Sequence, residues 1–214
     1  MPYQRIESFS SLKYFLAADR ISLGYRSMSV VSVLVDPVWK FQIVLRLVEY
    51  LTNCHPSPFG QIVRALLWWR LRSLRIRLGF SIPLNVFGPG LSIAHYGTIV
   101  VNKYARIGEN CRIHPGVCIG VHRGAVPIIG DNVYFGPGAK VFGRVVVGND
   151  AAIGANAVVT HDVSPNTTVI GAPARTIAEV GSGGLVLCGS VLALEKNFDW
   201  TKLGSAEALL TEVR

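Results

Sequence analysis

The sequence between Ser81 and Arg175 repeats a six-residue pattern, and this period limits the chain to one kind of architecture. An amphipathic helix repeats at about 3.6 residues and an ordinary strand at about 2, so neither explains the spacing. Six residues hold one short strand and one turn, and stacked steps hydrogen-bond to each other. The repeated apolar positions are Phe87, Ile93, Ile99, Ile107, Ile113, Ile119, Ile129, Phe135, Val141, Val147, Ile153 and Val159. The pattern therefore predicts a solenoid of short parallel strands.

Two interruptions of the period predict loops. Two extra residues lie between Ile99 and Ile107, and four lie between Ile119 and Ile129. Insertions in solenoids emerge on one face, which is often the binding face. We therefore expect the second insertion, within residues 120–128, to border the functional site.

The composition indicates that part of the surface is covered. Half of the residues are hydrophobic, only 16% are charged, and the mean hydropathy is +0.39. A chain this apolar is expected to contact another subunit or a membrane. The net charge of +8 favours an anionic partner. No basic run interleaved with aromatic residues appears in the repeats, so a phosphorylated cofactor or an anionic lipid surface fits better than nucleic acid.

No targeting or spanning segment is apparent in the sequence. Residues 1–11 lack an apolar signal core, and Lys40, Arg46 and Glu49 interrupt the best apolar run. The four cysteines form no CxxC pair, and we interpret Cys111 and Cys118, which lie inside the repeats, as small buried hydrophobic residues rather than metal or redox sites. We expect a cytoplasmic protein with reduced thiols.

The chain divides into three parts: a helical segment over residues 1–78, the solenoid over 79–178 and a tail over 179–214. Helices are predicted for Pro37 to Leu51 and Gln61 to Leu78. Less regular patterns predict one or two helical turns within 11–18, a strand or buried helix within 28–35, a flexible hinge over 181–184 and a short helix over 205–214.

The second predicted helix has two interpretations. Its arginines lie among tryptophan and leucine residues, which is the composition of a helix at a membrane interface. Most apolar stripes are core, however, so a helical collar packed on the solenoid and on neighbouring subunits is the favoured interpretation. Peripheral contact with the inner face of the cytoplasmic membrane remains the alternative.

Four segments together resemble the hexapeptide-repeat acyltransferases, in the branch of serine O-acetyltransferase and its polysaccharide-biosynthesis relatives. These segments are residues 81–83, 90–101, 159–165 and 171–175. The resemblance implies a mainly β fold, a left-handed parallel β-helix, assembled as a homotrimer. It also implies acetyl-CoA as the acetyl donor, bound in a groove between coils, and no metal.

An acetyl transfer to an alcohol needs a base for the hydroxyl proton, and an imidazole titrates near neutrality. His95 matches the catalytic histidine of the family. His114 could reach the same groove or serve only in a turn, and His122 with Arg123 could hold the acceptor or the cofactor phosphates. Ser81, Asn85 or a backbone carbonyl would orient His95. By position, the resemblance implies donor contacts at Gly120, Val121, Pro137, Ala155 and Arg175.

The expected acceptor follows from departures from the family pattern. Serine acetyltransferases carry aspartates near the position of Ser81 and at that of Ala94, and an Arg-His pair where this chain has Ala125 and Val126. A site without these charges pairs a zwitterion poorly. We therefore expect a glycan hydroxyl, in polysaccharide biosynthesis, as the acceptor. Serine, with His122 and Arg123 as replacements, is the alternative. A β-helical zinc enzyme and a non-catalytic scaffold are further hypotheses, although the histidine spacing does not resemble the zinc enzymes.

Overall fold

The computed structural model describes residues 4–25, 35–54 and 57–194. Helices α1, α2 and α3 span Phe9–Ser22, Pro37–Cys54 and Pro58–Leu78, and a short α4 spans Gly189–Leu192. The strands are β1 Phe80–Ser81, β2 Ser92–Ile93, β3 Ile99–Val101, β4 Arg106–Ile107, β5 Arg112–Ile113, β6 Cys118–Gly120, β7 Ile128–Ile129, β8 Tyr134–Phe135, β9 Lys140–Phe142, β10 Val146–Val147, β11 Ala152–Ile153, β12 Val158–Val159, β13 Thr168–Gly171 and β14 Ala174–Ala178.

The strands form three sheets that wind into a solenoid of about five coils, which confirms the fold predicted from the period. One sheet has the order β1-β3-β6-β9-β12, the second β10-β7-β4, and the third β14-β13-β11-β8-β5-β2. All pairs between coils are parallel, and only the final β13-β14 pair is antiparallel. Apolar residues from equivalent positions stack in the interior, because the register pairs Ile93 with Ile113 and Ile113 with Phe135.

Asparagine and aspartate side chains shape one corner of every coil. Positive φ angles between 53° and 59° are found at Asn110, Asn132, Asp150 and Asn166. Short polar side chains tolerate this left-handed conformation better than most others. The Asn110 amide donates to Asn132 Oδ1, and the Asn132 amide donates to Asp150 Oδ1, each at 2.8 Å. This ladder fixes the stacking of successive turns.

The two helices predicted before the solenoid are confirmed, with slightly different ends. Helix α3 ends at Leu78 and is capped by Gly79, whose φ of 78° allows the sharp turn into β1. Helix α1 is longer than the one or two turns expected, because Ser8 and Ser11 form a reciprocal capping box at its start. No helix in the described part of the chain is long and apolar enough to cross a membrane.

Side chains from the helices form hydrogen bonds with backbone N–H and C=O groups of the first coil, which has no coil stacked above it. Arg46 donates to the carbonyl oxygens of Phe87 at 3.0 Å and Gly88 at 2.7 Å. Asp19 Oδ1 accepts from two neighbouring backbone N–H groups, those of residues 90 and 91, at 2.9 and 2.8 Å. Glu49 accepts from the N–H of residue 85 at 2.7 Å. Side chains of helices α1 and α2 therefore make the hydrogen bonds that a preceding coil would otherwise make.

The tail does not contain the flexible hinge that its glycines predicted. Gly181 and Ser182 are buried, and Ser182 N donates to Asp150 O at 2.8 Å. A Cβ at Gly181 would lie 1.7 Å from that same oxygen, so glycine is required here for close packing rather than for mobility. The prediction was wrong for residues 181 and 182, because glycine composition alone does not distinguish a flexible segment from a tightly packed one.

Beyond this contact the tail runs back to the N-terminal helices. Helix α4 packs on α1, and Gly189 N donates to Ser22 Oγ at 3.2 Å. Ser190 N donates to Asn110 Oδ1 at 2.9 Å, which fastens the tail to a corner of the solenoid. The elements predicted for residues 28–35, apart from Val35, and for residues 205–214 lie outside the described residues.

Candidate active site

His95 and His114 lie on one corner of the solenoid, where the chain passes from the six-stranded sheet to the five-stranded sheet. We call this the histidine corner and define it by residues 94–98, 114–116, 136–138 and 154–156. Strands β2 and β5 pair in register, and Ala94 N donates to Ile113 O at 3.0 Å. This pairing brings the two histidines together although 19 positions separate them in the sequence. The His95 side chain is exposed, while His114 is half-buried.

The surroundings of His114 fix its tautomer. Nδ1 lies 2.9 Å from the carbonyl oxygen of Phe135, and because a carbonyl only accepts, Nδ1 carries the proton. The ring also meets the edge of Tyr134 at a centroid distance of 5.1 Å. Burial lowers the pKa of His114, and the charges of Arg112 and His95 act in the same direction. Near neutral pH, His114 is therefore uncharged and presents Nε2 as an acceptor.

The histidine corner continues as a line of small residues. Pro137 and Ala155 occupy it in the next two coils, and a Cβ at Gly116 would approach Gly138 Cα at 3.0 Å. Four steps of about 4.8 Å separate β2 from β13, so the corner is about 19 Å long. Arg175 lies at its far end, exposed and paired with Ile170 in the β13-β14 hairpin. The histidine corner is therefore a narrow surface with His95 and His114 at one end and Arg175 at the other.

The second insertion lies on a different corner, between the five-stranded and three-stranded sheets. His122 and Ala125 exchange two backbone hydrogen bonds of 3.0 Å around a tight turn with Arg123 at φ 49°. Gly120 and Val121 lead into this turn. Four residue steps of about 3.3 Å from Gly116 to Gly120 separate the two corners by about 13 Å. One chain alone does not bring His122 and Arg123 to the histidine corner.

The two residues expected to orient His95 lie elsewhere. Ser81 is exposed on the five-stranded sheet, paired with Val100 rather than with the corner. Asn85 belongs to the turn towards the three-stranded sheet, where its side-chain amide and that of Asn53 exchange hydrogen bonds of 3.0 Å. The structure therefore places Ser81 on a strand and gives the Asn85 side chain a partner outside the histidine corner.

Tyr134 and the Phe135 carbonyl are site components that the sequence analysis missed. Both belong to β8, one coil beyond His114, and they orient its ring from below. The signal was present in the repeat: the register that stacks Ile113 on Phe135 places the preceding Tyr134 beside the β5 end. Predicting the contact required the register between coils as well as the period within one.

A larger groove lies away from the histidines. It has a volume of about 730 Å³ and follows the three-stranded sheet and the asparagine-lined corner, with Ile128, Val146, Glu109 and Asp131 among its lining residues. Ile128 and Val146 point outward and are about half exposed. The groove contains none of the predicted catalytic or donor-binding residues, so we do not assign the chemistry to it.

Comparisons with known proteins agree on the class defined by the coils and the histidine corner. The family profile described as bacterial transferase hexapeptide, six repeats, matches residues 127–161. A serine acetyltransferase of Helicobacter pylori strain J99 is 41% identical over 130 residues, which cover 58% of this chain and 74% of the relative. A serine acetyltransferase of Mycobacterium tuberculosis is 38% identical over 143 residues, covering 59% of this chain and 62% of the relative.

Solved structures give the same result. The serine acetyltransferase of Brucella abortus strain S19 has a TM-score of 0.62 and 27% identity, covering 82% of this chain and 72% of that one. A serine acetyltransferase in complex with CoA has a TM-score of 0.61 and 26% identity, covering 79% and 71%.

The fold and repeats define a hexapeptide-repeat acyltransferase, which confirms the O-acetyltransferase class expected from the sequence. Within that class, the chain belongs to the serine acetyltransferase family. The expectation of a glycan acceptor and of polysaccharide biosynthesis is wrong, because the relatives at 38–41% identity and the structural neighbours are serine acetyltransferases. The missing charged residues were therefore given too much weight.

Proposed function

We propose that this protein is a serine O-acetyltransferase that transfers the acetyl group of acetyl-CoA to the hydroxyl of L-serine. The observation that carries the proposal is the histidine corner, an imidazole pair beside a line of small residues, in a chain of the serine acetyltransferase family. An imidazole at an open corner is a suitable base for an alcohol, and the small side chains beside it do not obstruct an extended thioester.

His95 acts as the general base in this proposal. It accepts the hydroxyl proton of serine while the serine oxygen attacks the thioester carbonyl carbon, so that a C–O bond forms. The tetrahedral intermediate then collapses, the C–S bond breaks, and the leaving sulfur takes the proton from the His95 imidazolium. The products are O-acetylserine and CoA, and the imidazole returns to its neutral form.

His114 is proposed as a positioning residue for this step. Its Nδ1–H is held by the Phe135 carbonyl, so Nε2 accepts a hydrogen bond at the open side of the corner. An uncharged His114 beside His95 also avoids placing a second cation next to the base as it becomes protonated.

Acetyl-CoA is proposed to lie along the histidine corner. Pro137 and Ala155 present little bulk there, which allows an extended chain to approach the coils closely. Arg175 at the end of the corner supplies a cation for the nucleotide phosphates. Gly120 and Val121, on the other corner, would contact a donor bound to a neighbouring copy.

The acceptor site is proposed to form between subunits of a homotrimer. Serine brings a carboxylate, and Arg123 at the tip of the insertion is an exposed cation suited to pair with it. Arg123 and the histidine corner lie on different corners, separated by the strand from Gly116 to Gly120, so we propose that they meet at a single serine molecule across a subunit boundary. The outward side chains of Val100, Ile128 and Val146 provide apolar surface for such an assembly.

The test is thiol release from acetyl-CoA by the purified full chain. We expect release to depend on L-serine and to fall to the acceptor-free rate when D-serine replaces it. Formation of O-acetylserine should match the released thiol in amount. An L-serine rate no higher than the acceptor-free rate, in protein that retains its fold and binds CoA, would overturn the proposed acceptor.

A further inference from the structure

Helix α3 carries two apolar faces, and only one of them is used by the fold. Leu71, Leu74 and Leu78 are buried against α2 and the first strand. A second set of apolar residues lies on the outside of the same helix and is between 61% and 75% exposed. This set, which we call the outer stripe, is Phe59, Ile62, Leu66, Trp69 and Ile76.

The outer stripe is diametrically opposite the core face. Each residue turns a helix by about 100°, so Ile62 projects about 180° away from Leu71, and the whole stripe falls within about 60° of that direction. A surface helix normally shows polar residues on this side. The collar expected from the sequence accounts for the inner face and leaves the outer face without a partner in the described chain.

Arginines border the stripe on both sides. Arg70 and Arg77 fall on one flank and Arg72 on the other, and all three are exposed. Arg72 and Arg77 also line a shallow pocket of about 270 Å³ with Trp69 and Ile76. Residues 58–78 contain no aspartate or glutamate, so no acidic residue of the helix offsets these charges.

We propose that helix α3 binds the surface of an anionic phospholipid bilayer, lying in the plane of the interface with the outer stripe inserted. An apolar stripe with arginine on its flanks and tryptophan among its members matches the layers of a bilayer interface, where cations meet phosphates and indoles lie at headgroup depth. The inference goes beyond acetyl transfer and does not depend on the acceptor.

Charge favours lipid over the outer stripe of a second copy as the occupant. Two outer stripes facing each other would bring two sets of arginines together without an acidic residue on either helix to pair with them. Like charges in this arrangement oppose association, whereas an anionic headgroup layer complements it. The helix is not suited to cross the bilayer, since none of the described helices is sufficiently apolar for that.

The experiment is flotation of the full chain with vesicles. One set contains phosphatidylcholine alone, and the other contains roughly 30% phosphatidylglycerol, a content that attracts basic segments. We expect at least about tenfold tighter binding to the anionic set, weakened but not abolished by moderate salt because the apolar stripe contributes independently of charge. Equal, weak binding to both sets would overturn the proposal.

Matched variants locate the contact. Ile62→Asn with Trp69→Gln should reduce anionic-vesicle binding about tenfold or more, while Tyr104→Gln with Ile177→Asn, two exposed apolar positions elsewhere, should leave it unchanged. Arg70→Gln with Arg77→Gln should remove the preference for the anionic set, and it serves as a second test if the first variant is unstable. Unchanged binding in both the outer-stripe variant and the arginine variant would refute the location. A change in oligomer mass by light scattering, with no vesicle binding by the unaltered chain, would assign the stripe to a subunit interface instead.

Discussion

Arg46 and Asp19 form a fully buried ion pair, with Nε of the arginine 2.8 Å from Oδ2 of the aspartate. Nη1 of the same guanidinium donates to Glu49 at 3.0 Å. Burial alone would lower the pKa of Arg46, but the two carboxylates reverse this effect and hold the pKa above its ordinary value. Because the guanidinium also binds carbonyls of the first coil, the pair connects helices α1 and α2 to the solenoid.

Replacing Arg46 by alanine should destabilise the fold by about 3–5 kcal/mol, because it leaves buried carboxylates without their partner. Urea unfolding followed by circular dichroism measures the change in the free energy of unfolding. Arg72→Ala, at an exposed position on α3, is the control and should stay within about 0.5 kcal/mol of the unaltered chain. A similarly small effect of Arg46→Ala would show that the ion pair does not hold the helices to the first coil.

Adding a methyl group at Gly181 should destabilise the protein, whereas the same change two residues later should not. The new Cβ at position 181 would meet Asp150 O, while at Gly183 it meets no atom within 4 Å. We expect Gly181→Ala to cost about 1–3 kcal/mol through overpacking. The comparison by thermal unfolding of Gly181→Ala with Gly183→Ala tests whether the tail is docked, since equal midpoints would indicate a mobile segment.

Replacing His95 by alanine should lower kcat/KM for acetyl transfer by about 10²–10⁴-fold, as expected for loss of a general base. His114→Gln, which keeps a hydrogen-bonding side chain, should lower it less. The exposed His161→Gln is the matched control and should have no effect. If His114→Gln proves the more damaging variant, the assignments of base and positioning residue must be exchanged.

The stability of the fold should depend on the protonation of His114. Its pKa in the folded chain lies below the ordinary value of 6.5, so the unfolded chain takes up a proton more readily. The free energy of unfolding therefore decreases as the pH falls through 6.5 towards the lowered pKa. His114→Gln removes this dependence. The free energy of unfolding of the unaltered chain minus that of the variant should be larger at pH 7.5 than at pH 5.5. A constant difference would contradict the assigned direction.

Arg123 should affect the binding of serine more than the chemical step. Arg123→Asn removes the cation but suits the positive φ of the turn, so the backbone is disturbed little. We expect a raised KM for L-serine with a smaller change in the KM for acetyl-CoA. Arg144→Asn, at an exposed position on the same corner one coil further, is the control. An unaltered KM for serine would assign the carboxylate to another group.

The repeat allowed the solenoid and its core to be predicted, because a large apolar residue recurs every six positions and each of these residues points into the core. The cap over the first coil was not predictable in the same way. Asp19 lies 71 positions from Gly90, and no local pattern indicates that one carboxylate will accept from that N–H. The separation of Arg123 from His95 was likewise hidden, since the period shows which residues face outward but not which corner they occupy.

Both ends of the solenoid are partly covered, which bears on how the protein behaves at high concentration. At one end, side chains of the helices occupy the backbone groups of residues 85–91, and at the other the chain folds back as an antiparallel strand. A solenoid with bare ends would offer each molecule a template for adding the next, coil upon coil. Removing residues 1–54, which carry Asp19, Arg46 and Glu49, should therefore make the protein prone to end-to-end growth into fibrils.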